Sequence, residues 1–256
     1  MGKRSNWAIP YLIFLVLFVA LPLVLVGVYA FRDSGGGFTF ANITRFFTDS
    51  DALSTFAVSI EVAIENTAIC LLLGYPAAYI LARKDLNKSA VTAILFVLPM
   101  WINALMRTLA TAELFNVFGF TLGKGTLLAG MVYDFLPFMI YPIYNVLLKM
   151  DNSYAEAAAD LGATPSQVFR KVTLPLSMPG IFSGILMVFM PTVSTFAISE
   201  FLTNNKIKLF GTIIQENINS SMWNYGAALS LIMLLIIGLT TVILGGNDRE
   251  IEGGTV

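Results

Sequence analysis

Seven side chains in or beside long apolar segments could attract a cation. Five are carboxylates and two are tryptophans, whose ring faces also interact favourably with positive charge. Because an ionised group in hydrocarbon is costly, acidic residues at membrane depth are candidates for a cation pathway. The seven candidates are Asp134, Glu61, Glu65, Glu113, Glu200, Trp101 and Trp223.

Asp134 is the strongest of these candidates. It lies inside an apolar segment beside Tyr133 and just before Pro137 and Pro142. Prolines in such a segment can break a helix and present backbone carbonyls to a cavity. The alternative is a structural carboxylate that is paired with Arg107 or hydrogen-bonded between helices. Arg107 itself is interpreted as an anchor or ion-pair partner, because a guanidinium would repel a cation.

Glu61 and Glu65 lie four residues apart and therefore share one face of a helix. Two like charges at that spacing imply either solvent or a shared cation. The plain alternative is that both belong to the exposed start of a helix.

The remaining four candidates lie near the ends of apolar segments, and each has a simpler interpretation. Glu113 and Glu200 are more simply explained as solvated residues at the outer rim of a span. Trp101 and Trp223 are more simply explained as anchors at the membrane interface, where tryptophan is common.

Composition defines the class of protein that must position these residues. Of the 256 residues, 57% are apolar, and there are only 15 basic and 16 acidic residues, or 12%. A soluble domain carries about 25% charged residues, so the excess apolar surface indicates a membrane protein. The net charge of −1 offers no basic surface for nucleic acid.

Two absences exclude most catalytic chemistry. The chain has no histidine and a single cysteine, Cys70, which excludes histidine-based acid–base catalysis, an intrachain disulfide, and metal sites built on histidines or on a cluster of cysteines. A phosphate-binding loop is also missing, since the nearest string, Gly119–Gly125, is one residue short and lacks the terminal hydroxyl residue. No nucleotide site and no cofactor are therefore expected on this chain.

Charge-free segments predict a single transmembrane domain, residues 1–256, with six helices. The first is interpreted as a retained span rather than a cleaved signal peptide. With the N-terminus placed inside, the inner segments contain more lysines and arginines than the outer segments. Both termini are therefore predicted to be cytoplasmic in a bacterial inner membrane. The predicted spans are 7–31, 54–82, 89–107, 125–148, 179–200 and 225–245, with a long cytoplasmic loop at 149–178.

This cytoplasmic loop has strong helix signals. Residues 153–161 are rich in alanine and predict a short helix, capped by Asn152 or Ser153. Gly162 is placed to end it in a left-handed conformation. Thr164 and Pro165 then supply an N-cap and a first helical residue. The loop is therefore expected to form a helix–turn–helix that is suited to docking.

The loop also carries a specific motif. Glu156-Ala157-Ala158 is followed by three residues, then Gly162, then nine residues, then the segment Val172–Pro175. This spacing resembles the EAA motif of permease subunits of ATP-binding-cassette importers, with valine in place of isoleucine. The resemblance implies an all-α, six-span type I permease fold in which the loop couples to an ATPase. The residues that would form this joint are Glu156, Ala157, Ala158, Asp160, Gly162, Leu174 and Pro175.

Further segments resemble the polyamine branch of these permeases, above all the first permease of spermidine/putrescine importers. The resemblance implies an ABC ATPase dimer, a second related permease and an external substrate-binding protein as partners, besides membrane lipid. The alternatives are another cargo, such as iron(III), thiamine or a phosphonate, or an ion-coupled carrier that uses Asp134 and Glu61. The matching segments are Leu98–Thr108, Leu136–Tyr144, Pro191–Leu202, Ile213–Glu216 and Trp223–Ala228.

Overall fold

The computed structural model describes residues 9–33, 35–83, 92, 95, 96 and 98–252. Within these residues the secondary structure is helical, apart from one isolated β-bridge between Arg32 and Phe38. The expectation of an all-α fold is confirmed there. The helices, labelled in chain order, are α1 (Ile9–Leu15, a π-helical turn Val16–Ala20, and Leu21–Ala30), α2 (Ala41–Thr48), α3 (Ser50–Ala82), α4 (Ala104–Val117), α5 (Lys124–Lys149), α6 (Ser153–Asp160), α7 (Pro165–Val168, a π-helical turn Phe169–Thr173, and Leu174–Leu176), α8 (Met178–Ser194), α9 (Ala197–Thr203), α10 (Phe210–Asn219) and α11 (Trp223–Glu252).

Four of these helices are long and apolar enough to cross a membrane. They contain the segments Pro10–Ala30, Ser50–Ala82, Lys124–Lys149 and Trp223–Val242, which correspond to the predicted spans 7–31, 54–82, 125–148 and 225–245. Helices α7 and α8 pass the same test as a pair bent by 60°. Six of the nineteen residues of the predicted span 89–107 fall outside the described residues, as does most of the loop that follows Arg83. The number of six spans therefore stays a prediction.

The segment predicted to span at 179–200 consists of two helices. Helix α8 ends at Ser194, Thr195 is extended, and α9 begins at Ala197. Gly211, in the first turn of α10, lies so close to the carbonyl groups of Ser194 and Thr195 that a side chain would collide with them. The start of α10 therefore packs directly against the break.

The core of the bundle lies between α3, α5 and α8. Buried apolar side chains from all three helices form one cluster, which includes Cys70, Met139, Ile143 and Val188. Small residues allow the backbones to approach, because a Cβ atom at Gly180 would lie 3.0 Å from the Cα of Ile143. Gly184 also lies close to the α5 backbone, so the Gly180-x-x-x-Gly184 pattern serves packing between helices.

We expect Gly180→Val to reduce the free energy of unfolding by about 1–3 kcal/mol, the usual cost of overpacking. The backbone of α5 would have to move, because the nearest neighbours of a Cβ at Gly180 are backbone atoms. The midpoint of thermal unfolding in detergent measures the effect. Gly238→Val is the matched control, since nothing in the described chain lies within 4 Å of a Cβ there; equal midpoints for the two variants would contradict the prediction.

Candidate functional site

Helix α6, which carries most of the EAA motif, begins with a charged cap. The carboxylate of Asp151 accepts a hydrogen bond of 2.9 Å from the backbone N–H of Ser153. This hydrogen bond lowers the pKa of Asp151 below its ordinary value. Asn152 occupies the N-cap position but makes no side-chain cap, so the predicted capping by Asn152 or Ser153 is wrong. A carboxylate one residue earlier replaces it, since negative charge is favoured at a helix N-terminus.

The turn between α6 and α7 has the predicted geometry. Gly162 has φ +82, and the backbone N–H of Ala163 donates to the carbonyl of Ala158 at 3.1 Å, which is the pattern of a Schellman cap. Thr164 and Gln167 then form a capping box at the start of α7, with Pro165 in the first turn. Gly162, Thr164 and Pro165 are therefore confirmed in their predicted structural roles.

Helix α6 lies on the surface of the chain. It contains no buried residue, and Leu161, directly after it, is 90% exposed. Among the motif residues, Ala158 and Leu174 are half-buried, whereas the others are exposed: Glu156, Ala157, Asp160, Gly162 and Pro175. A helix of eight residues that buries nothing gains little from its own chain, so this geometry suits a surface that docks on another protein.

Helix α7 connects this exposed helix to the core. The Phe169 ring packs edge-on against Tyr75 and Tyr79 of α3, with centroids 5.9 and 5.6 Å apart. Leu174 packs against the core cluster of α3, α5 and α8, and the Ser177 hydroxyl lies 3.0 Å from that of Tyr75. Sequence reasoning missed Phe169, since it falls among the unspecified positions of the motif. A displacement of α6 would reach α3 through these contacts.

Asp134 lies in a buried ion pair. Its Oδ1 is 3.2 Å from Nη2 of Arg107, and its Oδ2 accepts a hydrogen bond of 3.2 Å from the Thr108 hydroxyl. The Asp134 and Arg107 side chains are only 3% and 6% exposed. Among the described residues, Nε and Nη1 of Arg107 have no hydrogen-bond partner. Asp134 thus has the geometry of the alternative interpretation, a structural carboxylate that is paired with Arg107 and links α4 to α5.

Glu61 and Glu65 share a cation from their own chain. Nζ of Lys124, the first residue of α5, lies 2.6 Å from Oε1 of Glu61 and 2.8 Å from Oε1 of Glu65. The bridge therefore joins α3 to the start of α5, and all three side chains are partly exposed. Of the two expectations for this pair, solvent or a shared cation, the structure shows a cation.

A cavity of about 810 Å³ lies beside this bridge, at the end of the bundle opposite to α6. We call it the mixed-charge cavity, because both acidic and basic side chains line its wall. Lys208 is paired with Glu216 on another part of the wall, at 2.7 Å. Its lining includes Arg45, Asp49, Glu61, Lys124, Lys208, Glu216 and Tyr225.

A second cluster, formed by Arg45, Asp49 and Tyr225, lies in the wall of the mixed-charge cavity. The Asp49 carboxylate caps α3 by accepting hydrogen bonds from the backbone N–H groups of Asp51 and Ala52. It also accepts one of 3.1 Å from the Tyr225 hydroxyl. These contacts, the one with Ala52 first, lower the pKa of Asp49. The Arg45 guanidinium lies 4.1 Å from the centroid of the Tyr225 ring. Sequence reasoning missed this cluster. Its only local signal is the helix cap, an acidic residue just before an apolar run.

The four other candidates lie apart from this cavity. Glu113 is exposed on α4, and Glu200 is half-buried on α9. Trp101 ends a short 3₁₀-helix, Leu98–Trp101, and is 84% exposed. Trp223 begins α11 and is 58% exposed. None of these four described residues lines the mixed-charge cavity.

The fold defines a helical, multi-pass membrane protein with an exposed helix, α6, at one end. The sequence profile of a family described as "Binding-protein-dependent transport system inner membrane component" matches residues 6–252. The chain belongs to this family. It is therefore a transport subunit of the bacterial inner membrane and not an enzyme, and the predicted resemblance to importer permeases is confirmed.

The chain is similar to proteins named as permeases of spermidine/putrescine transport systems. It is 34% identical over 259 residues to "Spermidine/putrescine transport system permease protein PotB" of Escherichia coli (strain K12), covering 92% of this chain and 94% of that protein. It is 26% identical over 248 residues to the protein named PotC of the corresponding system in Shigella flexneri, covering 93% and 94%.

The fold also resembles a solved transporter. The TM-score is 0.67 at 14% identity to a chain of a "bacterial alginate ABC transporter in complex with alginate pentasaccharide-bound periplasmic protein", with 97% of this chain and 94% of that chain covered. At this level of identity the likeness establishes the fold, which confirms the expected permease architecture.

A second substitution in the buried Arg107–Asp134 pair is expected to restore the stability that the first one removes. We expect Arg107→Met alone to destabilise the chain by about 3–5 kcal/mol, because it leaves the Asp134 carboxylate buried without a counter-ion. The double variant Arg107→Met, Asp134→Leu removes both charges, and replacing a buried pair by apolar residues is often neutral. The yield of folded protein in membranes and its thermal midpoint in detergent measure both effects.

The double variant also separates a structural from a transport role of Asp134. If Asp134 is structural, the double variant regains transport together with stability. A double variant that is stable but inactive would instead favour Asp134 as a pathway residue.

Proposed function

We propose that this chain is the membrane-spanning subunit of an ATP-driven importer for spermidine and putrescine. The observation that carries the proposal is the EAA motif on an exposed helix, α6, within a chain of this family. The relatives named as spermidine/putrescine permeases support the cargo. In this proposal α6 faces the cytoplasm, both termini are cytoplasmic, and the mixed-charge cavity faces outward.

The partner at α6 is a separate ATPase, present as a dimer. The small Ala157 side chain permits close approach, and the exposed Glu156 carboxylate can pair with a cation across the interface. ATP and Mg²⁺ belong to that ATPase in this proposal, and this chain holds no cofactor. Phe169, wedged against Tyr75 and Tyr79, is then the contact that transmits the motion of the ATPase to α3.

Two further partners complete the proposed complex. A second, related permease would pair with this chain, in line with the similarity to proteins named PotB and PotC. A binding protein outside the membrane would deliver the substrate. The family description supports this partner, as does the periplasmic protein bound to the alginate transporter. The six-span count and the coupling loop at 149–178 are part of the same proposal.

The cargo is supported by the chemistry at the outward end. A polyamine carries several ammonium groups on a flexible apolar chain, so carboxylates and aromatic faces suit its passage. Glu61 and Glu65 lie at the mixed-charge cavity or beside it. In this proposal the exposed Trp101 and Trp223, together with Glu113 and Glu200, line the path at the contact with the second permease, and Asp134 contributes from the buried pair.

Uptake by membrane vesicles tests this function directly. Vesicles that contain the whole complex and trapped ATP should accumulate labelled spermidine when the binding protein is added, and should not without ATP. Thiamine and an iron(III) chelate serve as comparison cargoes. Accumulation of either of these in place of spermidine would overturn the polyamine assignment but retain the importer.

A charge reversal on α6 tests the coupling. We expect Glu156→Lys to abolish both co-purification of the ATPase and ATP-dependent uptake, because it places a like charge opposite a cationic partner. Ser166→Lys is the matched control, since it adds the same group at an exposed position of the same loop outside the motif. Normal uptake by the Glu156→Lys variant would show that the coupling assignment is wrong.

A further inference from the structure

The Lys124 bridge carries more negative than positive charge. Two carboxylates, of Glu61 and Glu65, face one ammonium, so one negative charge is left over. Within the described chain, Oε2 of Glu65 is buried and has no hydrogen-bond partner. The site therefore keeps both a charge and an acceptor that Lys124 does not use.

The group that Lys124 presents to this site is chemically informative. Its side chain is an ammonium on a flexible four-carbon stem, and a diamine such as putrescine also ends in primary ammonium groups on a four-carbon chain. The structure thus shows that an alkylammonium fits between the two carboxylates at 2.6 and 2.8 Å. The bridge is also open, since Glu61 and Lys124 both line the mixed-charge cavity.

We propose that the Glu61–Glu65 pair binds one ammonium group of the substrate and that Lys124 competes with the substrate for this site. This inference rests on the proposed polyamine function. Lys124 is then a specificity-determining residue, because it sets how strongly an incoming ammonium must bind in order to replace it. The tethered ammonium also neutralises much of the pair between transport cycles, which limits occupation by small inorganic cations.

The second bridge of the cavity supplies a built-in comparison. Lys208 faces the single carboxylate of Glu216, at 2.7 Å from Oε1 and 2.8 Å from Oε2. That bridge is balanced in charge, and neither carboxylate oxygen is left over. It should therefore respond much less to a polyamine than the Lys124 bridge does.

Uptake kinetics of variant complexes test the proposal through the sign of the change. Lys124→Gln removes the competitor and should lower the spermidine concentration for half-maximal uptake by about 1.5- to 5-fold, the range measured for exposed ion pairs. Glu65→Gln removes the spare charge and should raise it by about the same factor. Lys208→Gln and Glu216→Gln are the comparison variants within the same cavity, and each should change this concentration by a smaller factor than the Lys124 and Glu65 variants do.

A bridge that merely holds α3 and α5 together would behave differently. Losing either side of it would then impair uptake in the same direction, so changes of equal sign, or no change in either variant, would overturn the proposal. If the wild-type complex accumulates no spermidine at all, the proposed function fails first. The two failures are thus distinguishable.

Carbodiimide cross-linking gives a second measurement that needs no variant. The reagent condenses an adjacent ammonium and carboxylate into an amide, and the water lost converts the reagent into its urea. In the intact complex it should join Lys124 to Glu61 or Glu65, and Lys208 to Glu216. Spermidine should reduce the Lys124 cross-link relative to that of Lys208, whereas NaCl at equal ionic strength should not. Equal reduction of both cross-links would overturn the proposal.

Discussion

The cost of placing charge in hydrocarbon is the constraint on which this structure depends. It explains why so few of the 256 residues are charged and why the charged side chains of the cavity and of the α6 surface gather at the two ends of the bundle. Arg107 and Asp134 are the exception, since they meet far from either end of α5, and they do so as a pair. A buried pair of this kind adds little stability over well-packed apolar residues, and here it links α4 to α5.

The same constraint makes α3 the central element. With 33 residues it is about 50 Å long at 1.5 Å per residue, which exceeds the hydrocarbon thickness of about 30 Å. The first half of α3 carries Glu61, which lines the mixed-charge cavity, and Glu65, which shares its lysine partner. The C-terminal part of α3 carries Tyr75 and Tyr79, which pack against Phe169. A single helix thus connects the surface that would meet the substrate to the helix that would meet the ATPase.

Sequence reasoning succeeded where the signal is local. Four apolar spans could be located, and Gly162 and Thr164 could be assigned structural roles, because hydropathy and capping depend on neighbouring residues. It failed where distant residues decide the outcome. The break after Ser194 packs against the start of α10. The cation shared by Glu61 and Glu65 comes from Lys124, about sixty positions away in the chain. No periodicity in the chain encodes such contacts.

The position of Pro76 bears on how the two ends can communicate. It lies within α3, between Tyr75 and Tyr79, and has no N–H to donate to the preceding turn. The backbone of α3 therefore lacks one hydrogen bond close to the two tyrosines that contact Phe169, and helices bend most easily at such a position. A pull on Phe169 would act first on this part of α3 and then, through the packed core of α5 and α8, on the long arm that carries the carboxylates. Close packing at Gly180 and Gly184 makes the contact between α5 and α8 stiff. Bending of α3 at Pro76, together with this rigid packing, would therefore turn a small movement of α6 into a displacement of the mixed-charge cavity.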